Sequence, residues 1–296
     1  MYNNFSIGVV ILNYNDAETA IELLNYIKNY KTIDRIVVVD NLSSDNSYCK
    51  LKHYENHKID IIQSNRNGGY AYGNNLGAFY LINKYDVDIL FIANPDVKFD
   101  EEFVIGISKN LSDEKSNIVA ATGRNINEGE NFCEIYPTPN SYFRDLLQCT
   151  ILLQKIFKRK FLRLKPNMGV IIVEILLGAL FAIKSNVFFE IGGFDENTFL
   201  YKEEEILAIK LKEKNYQMAI NTQYSYIHKE SVSINKCIDY YQKRKILYNS
   251  LLYYYKNYKK ISKIKYLILK VAIAYGLFAR KITMKMFNLY KLKGVK

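Results

Sequence analysis

The sequence has few prolines, few cysteines and no long apolar run. Four prolines among 296 residues argue against Pro-rich linkers. The four cysteines are far apart and form no CxxC pair, so we expect neither a zinc site nor a disulfide-rich scaffold, and a reducing compartment suits them. No run of about eighteen uncharged apolar residues occurs, so we expect no membrane-spanning helix. The first residues lack a basic region followed by an apolar one, so we expect no signal peptide.

The charge of the chain is concentrated at its C-terminal end. Charged residues make up 24% and hydrophobic residues 49% of the 296 positions, which is ordinary globular usage and predicts one or two folded domains. Residues 236–296 contain 16 Lys plus Arg and one acid, which gives +15. The total is +11, so the remainder carries −4. Such an asymmetry indicates an anionic partner, either nucleic acid or a membrane surface.

Four short runs rich in β-branched residues alternate with helical patterns in the first hundred residues. They occupy 7–12, 36–39, 59–63 and 89–93. This alternation predicts βαβ units and a parallel sheet. Polar side chains follow each run at once: Asn13 and Asn15, Asp40 and Asn41, Arg66 and Asn67, Asn94 and Asp96. Ligands bind at the carboxyl ends of parallel strands, so the clusters predict one shared pocket, although each alone could simply form a turn or cap.

The order of the motifs resembles that of the family 2 inverting glycosyltransferases, in the branch that includes the rhamnosyltransferases. The matching segments are VVILNYN (9–15), VVVDNLSSDNS (37–47), NRNGGYAYGNN (65–75), IANPDV (92–97), GGFDE (192–196), FLYKEEE (199–205) and the later His228. Together they cover roughly residues 6–233. The resemblance implies an α/β GT-A fold, Rossmann-like with a mostly parallel sheet flanked by helices. It also implies a nucleotide-diphosphate sugar donor and a divalent metal.

The resemblance also implies which residues bind the donor. In the family, the residue at Asp40 accepts a hydrogen bond from N3–H of uracil or thymine, and Asn13 and Asn15 would line the base and ribose. Gly68 lets the backbone approach the donor because it has no Cβ. Arg66 could reach a phosphate or could equally be a surface arginine. The remaining predicted donor-binding residues are Asn41, Asn67, Asn74 and Asn94.

A metal site is expected after the fourth strand. Asn94-Pro95-Asp96 occupies the position of the family's DxD motif, with Asn94 in place of the first acid. Asp96 would then bind the metal directly, while Asn94 would contact the ribose or a metal-bound water. His228 aligns with a histidine that completes the site in some relatives. Mg²⁺ and Mn²⁺ prefer oxygen ligands, and imidazole suits Mn²⁺ better. The alternatives are a Pro-containing turn and a structural histidine.

Three consecutive glutamates, Glu203, Glu204 and Glu205, begin a predicted helix. An inverting transfer needs a base that takes the proton of the acceptor hydroxyl. The resemblance assigns this role to Glu204, with Glu203 beside it. The chain departs from the family because Glu204 replaces the usual Asp and because Ile206 stands where many relatives carry another acid. The alternative is an acidic first turn that the helix dipole favours.

The sequence predicts a catalytic domain over 1–235 and a basic helical extension over 236–296. The extension combines Leu, Ile and Phe with Lys at helical spacings and has many tyrosines. This pattern is typical of helices that lie on an anionic membrane surface. Packing on the catalytic domain, or a homodimer contact, is the alternative. We expect no nucleic-acid partner, because the sequence shows no helix-turn-helix, zinc-finger or RNP-like pattern.

The sequence therefore predicts a cytoplasmic glycosyltransferase, peripheral on the inner face of the cell membrane. It would move a sugar from a UDP- or dTDP-sugar to a hydroxyl of a growing, lipid-linked glycan. A non-catalytic sugar-nucleotide-binding or scaffold protein is the first alternative, and the presence of Asp96 and Glu204 argues against it. A nucleotidyltransferase is the second. It would show a Gly-rich loop with Arg or Lys after the first strand, and residues 13–16 are not such a loop.

Overall fold

The computed structural model describes residues 5–112, 116–150, 161–229 and 239–293, with side chains described as far as residue 283. Strands and helices alternate over the first 112 residues, as the sequence predicts. In chain order the elements are β1 (Ile7–Asn13), α1 (Ala17–Ile27), β2 (Arg35–Asp40), α2 (Ser47–Lys52), β3 (Ile59–Gln63), α3 (Gly69–Tyr85), β4 (Ile89–Ala93), β5 (Val97–Lys98) and α4 (Glu101–Ser112).

The second part of the chain adds shorter strands and then two C-terminal helices. The elements are β6 (Ile118–Ile126), β7 (Cys133–Ile135), α5 (Tyr142–Cys149), β8 (Leu162–Leu164), β9 (Val170–Val173), β10 (Leu180–Lys184), α6 (Ser185–Glu190), α7 (Glu203–Glu213), β11 (Gln217–His228), α8 (Tyr240–Asn257) and α9 (Lys263–Lys293). Strands β7 and β8 pair with each other in a small separate sheet.

Within the described residues, one central sheet has the strand order β3-β2-β1-β4-β10-β6-β11-β5, with β9 paired to β11. The first four strands in this order are parallel, and β10 runs antiparallel to β4. The register places Asn13 beside Asp40 and Ile11 beside Ala93, so the carboxyl ends of β1, β2 and β4 meet at one edge. The predicted fold class, a mostly parallel sheet flanked by helices with a C-terminal helical segment, is confirmed.

Helix α3 lies close to the sheet because glycines face it. A Cβ at Gly77 would lie 2.6 Å from Cγ1 of Val10, and one at Gly73 would lie 2.2 Å from Cδ1 of Leu12. Side chains larger than hydrogen would therefore push the helix away. The close approach holds α3 against β1 and β2.

The C-terminal helices share a hydrophobic core with the rest of the protein. Tyr248, Leu251, Tyr254 and Tyr255 of α8 are buried, and they cluster with side chains of α5, α7 and α9 that include Cys149, Ile206, Leu269 and Ile273. Burying such aromatic side chains is a large part of a core's stability. The sequence left open the alternative that this segment packs on the catalytic domain. The described side chains of α8 do pack on α5 and α7. None of the helices in the described residues is long and apolar enough to cross a membrane.

Candidate active site

Asp40 lies at the carboxyl end of β2 and is fully buried. Its Oδ1 accepts hydrogen bonds from Nδ2 of Asn13 at 2.9 Å and from Oγ of Ser43 at 2.5 Å. Its Oδ2 accepts from the backbone N–H of Ser43 at 3.1 Å and from Nε2 of Gln63 at 3.0 Å. Strands β1, β2 and β3 thus join at one carboxylate. Ser43 and Gln63 were not predicted as site residues. Gln63 ends the third predicted strand, and Ser43 follows the second.

Asn13, Asn15 and Asn41 line the same edge of the sheet. Oδ1 of Asn13 is buried and has no hydrogen-bond partner within the described structure. Asn15 adopts a φ of +52°, and its N–H donates to Oγ of Ser43 at 2.9 Å. Nδ2 of Asn41 donates to Oδ1 of Asn67 at 3.1 Å and to the carbonyl of Gly69 at 3.1 Å. The predicted clusters after β1 and β2 therefore meet the loop before α3.

The start of α3 contacts the loop that leads to the glutamates. Gly69 has a φ of +85°, and a Cβ there would lie 1.9 Å from the carbonyl oxygen of Phe199. The N–H of Tyr70 donates to that same carbonyl at 2.9 Å, and the Tyr70 hydroxyl donates to the carbonyl of Gly178 at 2.6 Å. Gly68 lies directly before this contact, at the helix N-cap position. Tyr70 belongs to the NGGY motif but was not predicted as a site residue.

Two of the predicted donor-binding residues have other surroundings. The Arg66 guanidinium lies over the Tyr72 ring, 4.6 Å from its centroid, and 4.0 Å from Oε2 of Glu196, and it is largely exposed. Asn74 is buried within α3, where its Nδ2 donates to the carbonyl of Tyr70 at 3.0 Å. The Arg66 side chain therefore lies at the surface, and the Asn74 side chain makes its hydrogen bond within α3, one turn after the glycine loop.

Asp96 and His228 lie side by side. Strand β5 pairs with the end of β11, with Val97 opposite His228, and this register brings Oδ1 of Asp96 to 3.1 Å from Nε2 of His228. Their side chains are only 7% and 17% exposed. Asn94 begins the same turn, and its N–H donates to the carbonyl of Ala179 at 2.8 Å.

The Asp96–His228 pair fits a divalent metal. The pair offers one carboxylate oxygen and one imidazole nitrogen, 3.1 Å apart, and both are ligand types that Mn²⁺ accepts. No group of three or more His, Cys, Asp or Glu side chains arranged for a metal occurs within the described residues. Mg²⁺ usually takes phosphate oxygens and water among its ligands.

The carboxyl of Glu204 lies against Gly178, where a Cβ would be 2.6 Å from its Oε1. Burial raises the pKa of Glu204 to about 7, and the negative charge of Glu205 adds to the rise. The Gly178 backbone and the Lys202 ammonium oppose this rise in the pKa of Glu204. Gly178 precedes Ala179, the hydrogen-bond partner of Asn94, so the loop that Glu204 contacts is also the one that contacts the Asp96 turn.

Glu203 is more deeply buried than Glu204. Its Oε2 has no hydrogen-bond partner within the described structure. Burial, with the charge of Glu204 second, raises the pKa of Glu203 well above its ordinary value. Burial therefore favours the protonated form of Glu203. Of the two predicted catalytic glutamates, Glu204 is the one with partial access to solvent and with a pKa near neutrality.

The backbone before the glutamates is strained. Tyr201 and Lys202 both have left-handed φ values, +71° and +74°, which favour glycine. The buried Lys202 ammonium donates to Oε1 of Glu205 at 2.7 Å and lies 3.4 Å from Oδ2 of Asp145. The Tyr255 hydroxyl of α8 donates to that same Asp145 oxygen at 2.9 Å. This ion-pair cluster holds the start of α7 in place.

Helix α8 and the residue after it also contact the loop that precedes α7. The hydroxyls of Tyr253 and Tyr258 both donate to Oδ2 of Asp195, the former at 2.8 Å, and Oγ of Ser250 donates to the carbonyl of Leu200 at 2.8 Å. Burial alone would raise the pKa of Asp195, but the Tyr258 hydroxyl and other donors outweigh it and lower the pKa. The predicted GGFDE motif is thus fixed by a segment that the sequence assigned to a separate extension.

Replacing Tyr253 and Tyr258 together by Phe should lower the free energy of unfolding by at least about 2 kcal/mol, because each hydrogen bond to a charged group contributes about 1.5–3 kcal/mol. The measurement is urea unfolding followed by circular dichroism. Tyr275→Phe, at a half-exposed tyrosine of α9, is the matched control and should change stability by less than about 0.5 kcal/mol. Equal stability of the double variant and the wild type would show that these contacts do not hold α8.

Residues 8–175, more than half of the chain, match the model of the family described as "Glycosyl transferase family 2". The chain belongs to glycosyl transferase family 2. One curated relative is the low-salt glycan biosynthesis hexosyltransferase Agl10 of Haloferax volcanii, which is 28% identical over 232 residues, 76% of this chain and 68% of the relative.

Solved structures of low sequence identity share the fold of this family 2 chain. The mannosyltransferase PcManGT from Pyrobaculum calidifontis, in complex with GDP-Man and Mn²⁺, superposes with a TM-score of 0.58 and 14% identity over 98% of this chain and 82% of that one. GalNAc-T7 with UDP, GalNAc and Mn²⁺ gives a TM-score of 0.56 and 16% identity over 77% of this chain. The match spans 44% of the length of GalNAc-T7.

Proposed function

We propose that this protein is an inverting glycosyltransferase that moves a sugar from a UDP- or dTDP-sugar to a hydroxyl of a growing, lipid-linked surface glycan. The observation that carries the proposal is one continuous chain of contacts. It leads from Asp40 and Asn13 through Asn41, Gly69 and Tyr70 to Gly178. Gly178 contacts Glu204, and the neighbouring Ala179 contacts the Asn94–Asp96 turn. The proposed donor-binding, metal-binding and basic groups are thereby linked through one set of contacting loops.

Glu204 is the proposed base. In the transfer, the acceptor oxygen forms a bond to C1 of the donor sugar as the bond between C1 and the diphosphate oxygen breaks. The proton of the acceptor hydroxyl passes to the Glu204 carboxylate, and the electron pair of the broken bond leaves with the diphosphate. A pKa near 7 suits this role, because a base works best when its pKa lies near the working pH. Burial favours the neutral form of Glu203, which limits the negative charge beside Glu204.

The donor would bind along the carboxyl ends of β1, β2 and β4. Asp40 and its partner Asn13 are proposed to contact the base, and the buried Oδ1 of Asn13, which has no hydrogen-bond partner within the described residues, is proposed to accept from a donor group. Asn15, Asn41, Asn67, Gly68 and Asn94 complete the proposed donor site, with Asn74 supporting the loop from within α3. Since the carboxylate of Asp40 already accepts four hydrogen bonds, a base N–H would have to replace one of them.

Asp96 and His228 are proposed to hold Mn²⁺ or Mg²⁺. When bound there, the cation would neutralise the negative charge that develops on the departing diphosphate. The Mn²⁺ in the PcManGT and GalNAc-T7 complexes supports this proposal.

We further propose 1–235 as the catalytic domain and 236–296 as a basic extension that keeps the enzyme on the inner face of the cell membrane, near a lipid-linked acceptor. The glycan-biosynthesis role of Agl10 supports a glycan acceptor. The packing of α8 on α5 and α7 implies that the extension also stabilises the catalytic domain. Membership of the rhamnosyltransferase-like branch stays a prediction.

The function is tested by measuring release of nucleoside diphosphate from UDP-, dTDP- and GDP-sugars with Mg²⁺ or Mn²⁺. We expect turnover of one nucleotide class, with a rate that depends on pH. Because Glu204 must be ionised to accept a proton and its pKa is raised to about 7, the rate should be constant at higher pH and fall about tenfold per pH unit below 7. A rate that stays constant down to about pH 5 would exclude a base with this raised pKa.

A further inference from the structure

Helix α9 presents an exposed apolar stripe along its length. Seven large apolar side chains of this helix are 43–73% exposed: Ile264, Leu267, Ile268, Val271, Tyr275, Phe278 and Ile282. At about 100° per residue they lie within an arc of about 100°, and they extend over about 27 Å of helix. Monomeric proteins rarely expose continuous apolar surfaces of this kind without a binding purpose.

The opposite side of α9 is attached to the protein body. Leu269, Ile273 and Arg280 are buried, and a Cβ at Gly276 would lie 1.8 Å from the carbonyl oxygen of Cys149. The Arg280 guanidinium donates from Nη1 to that same Cys149 carbonyl at 3.0 Å. These contacts keep the helix from rotating about its axis, so the stripe cannot turn inward onto the protein.

Basic residues border the stripe and acids are absent. Lys263, Lys270 and Lys281 project to one side of it at this helical spacing, and Lys265 to the other, and all four are exposed. The helix sequence contains seven Lys and one Arg and no Asp or Glu. A second copy of this face would bring like charges together with no acid to pair them. An anionic lipid surface instead offers apolar chains to the stripe and negative headgroups to the lysines, whose stems can extend toward them.

We propose that the Ile264–Ile282 face of α9 inserts among the lipids of an anionic membrane surface, with the helix lying parallel to that surface. The stripe enters the boundary between headgroups and acyl chains, and the bordering lysines contact the headgroups. This proposal specifies the contact face for the membrane placement suggested above. It requires no sugar transfer, so vesicle binding and enzymatic turnover can fail independently.

The absence of tryptophan from the chain permits a site-specific probe. Phe278→Trp puts a single tryptophan on the stripe, and Phe189→Trp puts one on α6 at a position of similar exposure, 57% against 65%. With phosphatidylglycerol-containing vesicles, emission from position 278 should shift to shorter wavelength and be quenched by lipids with brominated acyl chains. Emission from position 189 should not change. Phosphatidylcholine vesicles should give a smaller response, because they lack the negative charge.

Loss of binding is tested by substitution. Phe278→Glu should weaken binding to the anionic vesicles by about ten- to a hundredfold, because it removes one apolar anchor and adds a charge. Phe189→Glu adds the same charge elsewhere and should bind as the wild type does. Salt should release the protein only partly, since it screens charge but not apolar insertion.

Three results would overturn the proposal. One is equal vesicle binding by Phe278→Glu and the wild type, and another is an equal spectral response from the two tryptophan positions. The third is a blue shift at position 278 that follows protein concentration without lipid, which would identify the stripe as a contact between copies of the chain.

Discussion

The Glu204→Gln substitution is expected to slow sugar transfer by about two to four powers of ten while donor binding survives. The amide keeps the shape of the side chain and its position against Gly178, but it cannot accept the proton of the acceptor hydroxyl. The variant should also be at least as stable as the wild type at neutral pH, because burial disfavours the ionised form of Glu204. Turnover and donor affinity are measured separately, by initial rates and by calorimetry.

Glu203→Gln is the matched control for Glu204→Gln. Burial raises the pKa of Glu203 well above its ordinary value and so favours the protonated form, which the amide resembles. Turnover of this variant should stay within a few-fold of the wild type. An inactive Glu203→Gln protein beside an active Glu204→Gln protein would transfer the role of the base to Glu203.

Asp96→Asn should lower turnover by a similarly large factor. It would act on the departing diphosphate of the donor, whereas Glu204→Gln acts on the acceptor hydroxyl. The substitution removes the only carboxylate of the Asp96–His228 pair and leaves its shape. Cation stabilisation of the leaving group contributes several kcal/mol, so turnover should fall by about three powers of ten or more. Titration calorimetry with the donor nucleotide should show that the metal no longer increases its affinity.

Asp60→Asn provides a control at a carboxylate outside this site. Asp60 lies on β3, where it accepts hydrogen bonds from Tyr80 and Tyr85 and pairs with Lys84. Its substitution should leave turnover and the metal dependence of donor binding unchanged. Near-normal turnover of a folded Asp96→Asn protein, with an unaltered response to metal, would remove Asp96 from the metal site.

Local patterns in the sequence were sufficient to predict the first half of the fold. The β-branched runs at β1, β2 and β4 are buried on both faces, and that burial is the physical reason for their continuous apolar composition. Parallel pairing predicted that the polar residues after these strands share one edge of the sheet, and the observed register sets Asn13 beside Asp40. Helix α3 was predictable from its sequence, but its closeness to the sheet depends on glycines whose neighbours are far away in the chain.

Contacts between distant, short elements could not be predicted in this way. Strand β5 has two residues, too few for any periodicity, yet its pairing with β11 brings Asp96 to His228. The resemblance to the family suggested that pair, and its geometry came only from the fold. The hydrogen bonds from Tyr253 and Tyr258 to Asp195 attach α8 to the catalytic part of the chain. They could not be predicted for a different reason. A run of tyrosines and lysines has the same composition whether it faces lipid, solvent or a buried carboxylate.

The measurement that tests the central claim most directly is proton NMR of donor turnover in real time, with Mg²⁺ as the metal. The first sugar released to water, or transferred to an acceptor, shows its anomeric configuration through the chemical shift of H1 and the one-bond C1–H1 coupling before mutarotation mixes the two forms. Our account predicts the configuration opposite to that of the donor, because the oxygen whose proton passes to Glu204 attacks C1 from the face opposite the diphosphate. Retention of configuration, or no turnover of any UDP-, dTDP- or GDP-sugar by the folded protein, would contradict it.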